Sequence, residues 1–232
     1  MSEKKRVDRV ELGVFDRGKV IDVYSKEFIC TAAGKVQGDL DSETAEVRGA
    51  CKIGGDVRTT ILKIGGSMKV VGNVQAELIR AKGAFKVEGN VNAANFRIAG
   101  AVKILGKIVS REEIFVQGVL KCMSDIDAVK FNLHGVADVD GCLKAKEFIA
   151  ELSGKSAIKH LDSEIIRVKI NNNPKDSELL AKKITGKDIY LEATVANLVE
   201  GDKVVIGKGC TITEVKANTL EVHKNSKVGK QI

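Results

Sequence analysis

A 17-residue period constrains this chain more than any other feature. Gly38, Gly55, Gly72, Gly89 and Gly106 recur at that interval, each two residues before an aliphatic residue: Leu40, Val57, Val74, Val91 or Ile108. A second column keeps the step, with Gly49, Gly66, Gly83 and Gly100 four residues ahead of Ile53, Val70, Val87 and Ile104, and a third runs Val47, Ile64, Ala81, Ile98. Self-similarity at a short fixed period means stacked units, each touching mainly its neighbours. One period is one coil of a solenoid.

The local pattern decides between helix and strand. Leu62 and Ile64 flank Lys63, Ile79 and Ala81 flank Arg80, and Phe96 and Ile98 flank Arg97. This is alternation with period two, the mark of short strands with one face buried. A residue meets its counterpart one coil later, so the strands pair in parallel. A left-handed helix of hexapeptides would space inward residues evenly by six, whereas Val47, Ile53, Val57 and Ile64 are spaced six, four and seven. With parallel crossovers otherwise right-handed, the expected fold is all-β, a right-handed parallel β-helix with coils of about 17 residues.

The repeat traces back to about Val20. Residues 1–19 fit it poorly and read as a mobile basic arm, whose Val10, Leu12, Val14 and Phe15 are available for docking. After Gly106 the step slips to 18 and 19 in places, as corner insertions, and the main β-helix runs over 20–170. Residues 171–187 read as an insertion: a turn at Asn171–Pro174, then two turns of helix from Asp176 to Lys183. Coils return over 188–232 with a period near 16, either extending the first stack or forming a second.

Composition enters where it excludes functions. Aromatics are 4% of the chain, against 23 glycines and a single proline, which suits aliphatic ladders with tight corners. The five cysteines form no CxxC pair, so neither a disulfide framework nor a zinc site is signalled. His134, His160 and His223 fall in unrelated columns, and Gly154-Lys155-Ser156 lacks the first glycine of a phosphate-binding loop. Asp39, Asp56, Asn73 and Asn90 share a column; a corner role with hydrogen bonds along the ladder accounts for them better than calcium. No cofactor and no catalytic constellation is indicated, and the chain is not read as an enzyme. Apolar runs stay far below the roughly 20 residues of a membrane span, and the charged start lacks a signal peptide's apolar segment, so a cytoplasmic location is expected.

The Gly-x-Val coils of 17, interleaved with Gly-Ala-x-Lys-Val/Ile, and the closing stretch from Glu200 to Ile212 resemble the bactofilins, bacterial polymer-forming cytoskeletal proteins, in their longer Gram-positive form. The resemblance spans roughly residues 28–228. It implies a right-handed β-helix that polymerises end to end without nucleotide and scaffolds cell-shape, envelope or flagellar machinery, often at the inner face of the membrane. The chain departs from the family in lacking Pro-rich tails and in its second repeat block. Physics points the same way, because a solenoid without a polar cap ends in an unpaired edge that templates another copy. Val23 and Phe28 at one end, and Leu220, Val222 and Val228 at the other, are the candidate assembly residues. The alternatives are a non-polymerising β-helix binding module or a β-helix enzyme acting on a polysaccharide.

The net charge of +7 is localised by the repeat. Lys35, Lys52, Lys69, Lys86, Lys103 and Lys121 occupy one outward column, and Lys63, Arg80 and Arg97 occupy another. Repulsion between ladder neighbours ~5 Å apart is only about 0.8 kcal/mol in water, less in salt, so the fold tolerates the column. Its expected partner is an acidic protein or the anionic inner-membrane surface, with nucleic acid less favoured for want of exposed aromatics.

Overall fold

In a computed structural model, which describes residues 6–13, 19–171 and 177–232, the chain is built from parallel β-strands, with no helix among the described residues. It divides into two compact units, Met1–Arg111 and Glu112–Ile232. Each is a β-solenoid.

The first unit contains β1 (Val7–Leu12), β2 (Lys19–Val20), β3 (Val23–Cys30), β4 (Ala33–Val36), β5 (Leu40–Val47), β6 (Ala50–Ile53), β7 (Val57–Ile64), β8 (Ser67–Val70), β9 (Val74–Ala81), β10 (Ala84–Val87), β11 (Val91–Ile98) and β12 (Ala101–Ile104). Long strands pair with long in the series β3, β5, β7, β9, β11, and short with short in the series β4, β6, β8, β10, β12, always in parallel and 17 residues apart. Each long strand carries a corner of its own. In β7 the inward residues are Val57 and Thr59, then Leu62 and Ile64, so the alternation slips by one; the pairing skips Thr60 at the same place. With Met68 and Val70 inward on β8, one coil presents three faces to the core.

Five core columns are fully buried, represented in one coil by Val57, Leu62, Ile64, Met68 and Val70. Each such side chain stabilises by about 1.5–3 kcal/mol relative to exposure. Phe85 and Phe96 meet edge to face at 6.4 Å. One inward column, Ser25, Ser42, Thr59, Ala76, Ala93 and Ser110, is polar in four of its six positions. Thr59 donates to the Glu43 carbonyl at 3.1 Å and Ser110 to the Ala94 carbonyl at 2.7 Å, which removes most of the cost of burying those two hydroxyls, whereas Ser25 Oγ is buried without a hydrogen-bond partner among the described residues.

The corners work by close approach, not by left-handed backbone. Among the described residues only Ala193 and Gly209 have positive φ, so the Asp/Asn–Gly corners do not use the left-handed region. A Cβ at Gly66 would lie 2.1 Å from the Gly49 carbonyl oxygen, and one at Gly83 would lie 1.9 Å from that of Gly66. A Cβ at Gly55 would lie 2.1 Å from Asp39 Oδ1. That oxygen accepts from the Asp56 amide at 2.8 Å, and the pattern repeats as Asp56 to Asn73, Asn73 to Asn90 and Asn90 to Lys107, at 2.8–2.9 Å. Glycine makes the space, and the Asp or Asn side chain caps the backbone of the next coil.

The N-terminal segment departs from the expected mobile arm. β1 pairs with β3 in parallel, Val10 opposite Phe28 and Leu12 opposite Cys30, while Arg9 and Glu11 point outward. The alternation of Val10 and Leu12 with charged residues lets β1 cover the core end, and Leu12 is buried. Val14 and Phe15 lie outside the described residues.

The boundary between units falls within β13 (Ile108–Val116). The second unit continues with β14 (Val119–Cys122), β15 (Ile126–Leu133), β16 (Val136–Leu152), β17 (Lys155–Ile170), β18 (Glu178–Leu191), β19 (Thr194–Ile206), β20 (Thr211–Val222) and β21 (Lys227–Gln231). β15 and β14 pair with β16, and β16 to β21 then pair in sequence order. Phe131 stacks on Phe148, its register partner, at 5.6 Å. The helix expected over Asp176–Lys183 is strand from Glu178 onward, in register with β17; Asp176 and the turn residues 172–174 lie outside the described residues. The open edge of β17 supplies register partners for eleven of the 14 residues of β18, which outweighs a weak local preference for helix. Within this unit the C-terminal coils therefore continue the stack that precedes the insertion, and β18 belongs to it rather than to a linker.

Candidate interaction surfaces

Two surfaces carry the sequence-predicted residues. The first is the outward side of the short strands in the first unit. Lys35, Lys52, Lys69, Lys86 and Lys103 pair directly from strand to strand, and Lys19 holds the same register one coil earlier. At ~4.8 Å per strand the five side chains span about 19 Å along the stack. Among the described residues Glu88 answers them, 2.8 Å from Lys69 and 3.8 Å from Lys86; these lysines hold its carboxyl below the usual range, Lys69 most. Lys35, Lys52 and Lys103 form no ion pair among the described residues.

The other basic residues behave differently. Lys63, Arg80 and Arg97 stack in register on β7, β9 and β11, one glycine corner away from the lysine ladder, with Glu46 preceding them in the column. Lys121 lies in the second unit, opposite Asp138 and 2.8 Å from its carboxylate, so it is a neutralised member of the sequence column.

In the second unit Lys130 meets Glu147 at 3.3 Å and Lys183 meets Glu200 at 3.0 Å, each one coil away.

The second surface is the coil formed by β20 and β21. Core columns there run out toward solvent: Ile189 and Val204 are fully buried and Leu220 half-buried, while Leu191 and Ile206 are fully buried and Val222 is 40% exposed. Val228, opposite Ile212, is half-buried. Thr219–Val222 pair with β19 on one side and with no strand on the other among the described residues. In the first unit Val23 and Phe28 are fully buried, with β1 lying over Phe28, so neither is available as a contact; β1 itself pairs with no strand other than β3 among the described residues, and its Val7 is 50% exposed.

Other reactive groups are buried or held in local contacts. Cys122 and Cys210 are pushed up to about 11 by burial, and the Cys51 thiol is pushed up by its contact with Cys30 and by burial. His134 lies 3.1 Å from Glu151, and His223 Nδ1 accepts from the Asn225 amide at 3.1 Å. Ser156 begins a strand and accepts from the Ala137 amide at 3.2 Å. A shallow open groove of about 620 Å³ crosses β17–β20 between carboxylates and lysines. Lys183 holds the Glu200 carboxyl below its usual range, which keeps it ionised and unsuited to general acid work. Among the described residues no group of His, Cys, Asp or Glu side chains is placed to hold a metal ion, and no helix is long and apolar enough to cross a membrane.

No protein-family model, no curated protein and no solved structure matches the chain.

Proposed function

We propose that this protein is a bactofilin-like cytoskeletal scaffold that assembles end to end, without nucleotide, into polymers at the inner face of the cell membrane, where it positions cell-shape, envelope or flagellar machinery. The observation that carries this reading is the open coil at β20–β21. Leu220 and Val222 continue buried columns but are themselves more exposed, and on the side away from β19 the backbone of Thr219–Val222 has no strand partner among the described residues. Apolar side chains together with unpaired strand groups form a template for another coil. The edge of β1 away from β3, without a strand partner among the described residues, offers a second such template.

Leu220→Arg and Val222→Arg place a charge on that coil without entering the closed core. Sedimentation velocity and electron microscopy of the full chain without nucleotide are the test. Wild type is expected to form extended assemblies, and each variant a smaller species with an unchanged β-type circular dichroism spectrum. A monomeric wild type, or variants that both sediment as wild type does, would overturn end-to-end assembly through this coil.

A further inference from the structure

The lysine ladder has neighbours that the charge pattern alone does not reveal. Two residues beyond each lysine, on the same side of the chain, runs a column that includes Val71, Glu88 and Leu105; Ile21 stands in it before Gln37. Ile21 is 71% exposed, Val71 38% and Leu105 37%. Two residues before each lysine stands a small exposed residue, Ala33, Ala50, Ser67, Ala84 or Ala101. The surface is therefore three columns wide: small, cationic, and partly aliphatic, with Glu88 its one acid.

We propose that this side of the first unit, formed by β4, β6, β8, β10 and β12, docks flat on an anionic lipid bilayer with the ladder parallel to the membrane plane. Ammonium groups on long aliphatic stems reach headgroup phosphates while the stems lie along apolar surface. Ile21, Val71 and Leu105 enter the interfacial layer beside them, the combination of basic and aliphatic groups that membrane-surface elements use. The alanine column lets the surface approach closely. A soluble polyanion would gain nothing from exposed Ile, Val and Leu, and single-stranded nucleic acid would call for aromatic platforms, whereas Phe28, Phe85 and Phe96 are buried. The inference rests on the peripheral membrane placement proposed above but not on end-to-end assembly.

The test is partitioning of the full chain onto phosphatidylglycerol–phosphatidylcholine vesicles, with pure phosphatidylcholine vesicles as reference. Wild type is expected to bind the anionic vesicles only, and less at high salt. One lysine near such a surface is worth about five-fold in partitioning, so Lys35→Gln/Lys52→Gln/Lys103→Gln together lower it by about 100-fold. Val71→Ser/Leu105→Ser lowers it by about ten-fold. Lys155→Gln/Lys169→Gln/Lys208→Gln removes the same charge from exposed positions in the second unit and changes binding little. Leu220→Arg retains vesicle binding whatever it does to assembly, which separates this inference from that one. The proposal is overturned if wild type ignores anionic vesicles at low salt, or if the second-unit lysine variant loses as much as the ladder variant. It is equally overturned if the aliphatic variant binds as wild type does while polyphosphate or DNA binding falls with the ladder lysines, the behaviour of a soluble polyanion site.

Discussion

Gly65 and Gly66 share one corner, and the structure assigns them opposite tolerance to a side chain. A Cβ on Gly66 would lie 2.1 Å from the Gly49 carbonyl oxygen and 2.3 Å from that of Arg48, both in the preceding coil. Reaching the 3.0 Å below which real Cβ contacts essentially never occur requires 3.0 − 2.1 = 0.9 Å of separation. The coils are held there by the Ser67 amide on Gly49 O at 2.8 Å and the Gly66 amide on Val47 O at 3.1 Å. Opening by 0.9 Å stretches the first from 2.8 Å to 3.7 Å, past hydrogen-bonding distance. Losing two such bonds, with their groups partly shielded from water, costs Gly66→Ala about 2–4 kcal/mol. At Gly65 the nearest atom to an added Cβ is 3.8 Å away and φ is not positive, so alanine fits. Gly65→Ala is then neutral or stabilises by about 0.4–1 kcal/mol by restricting the unfolded chain. Equilibrium denaturation in urea, with the m-value compared to exclude partial unfolding of the stack, measures both. A Gly66→Ala midpoint equal to wild type, or equal losses at the two positions, would refute the close-approach account of the period.

Val74 is 1% exposed in the middle of a core column, so Val74→Asp buries an unpaired carboxylate and is expected to cost more than about 4 kcal/mol, read as loss of the cooperative melt. Ala193 holds φ at 43°, and Ala193→Gly relieves that conformation; thermal denaturation should show a gain of up to about 1 kcal/mol. Tyr190 donates to Glu192 at 2.7 Å, and this bond, with burial, pushes the phenol up to about 12. Because the folded value lies above the unfolded value near 10, the contribution is fully present below pH 10 and is lost as pH rises through about 12. Ultraviolet titration in a Tyr24→Phe background should show the late transition, and Glu192→Gln should bring it earlier.

Wherever the period holds, the fold was legible in the sequence. A step of 17 with alternation inside each coil implies parallel pairing of each residue with its own repeat, and the structure pairs Leu40, Val57, Val74 and Val91 in that way. The lysine ladder followed from the same arithmetic. Its aliphatic neighbours Val71 and Leu105 stand two residues further on and were equally readable, but they share their column with Gln37, Gly54 and Glu88, so no repeated residue type drew attention to them.

Tertiary structure decided what the period does not encode. β1 and β18 find their places because β3 and β17 each present an edge, and edge availability leaves no local mark on the segment that fills it. That is why 7–12 read as an arm and 178–183 as helix. The reason for the glycines also lies outside the local chain: their spacing marks corners, but what excludes a side chain at Gly66 is the Gly49 carbonyl one coil away. Sequence alone determined which residues stack, since a repeat meets itself. Which atoms come into contact, and so which glycine cannot be replaced, was set by how closely two coils must approach to complete the hydrogen bonds between them.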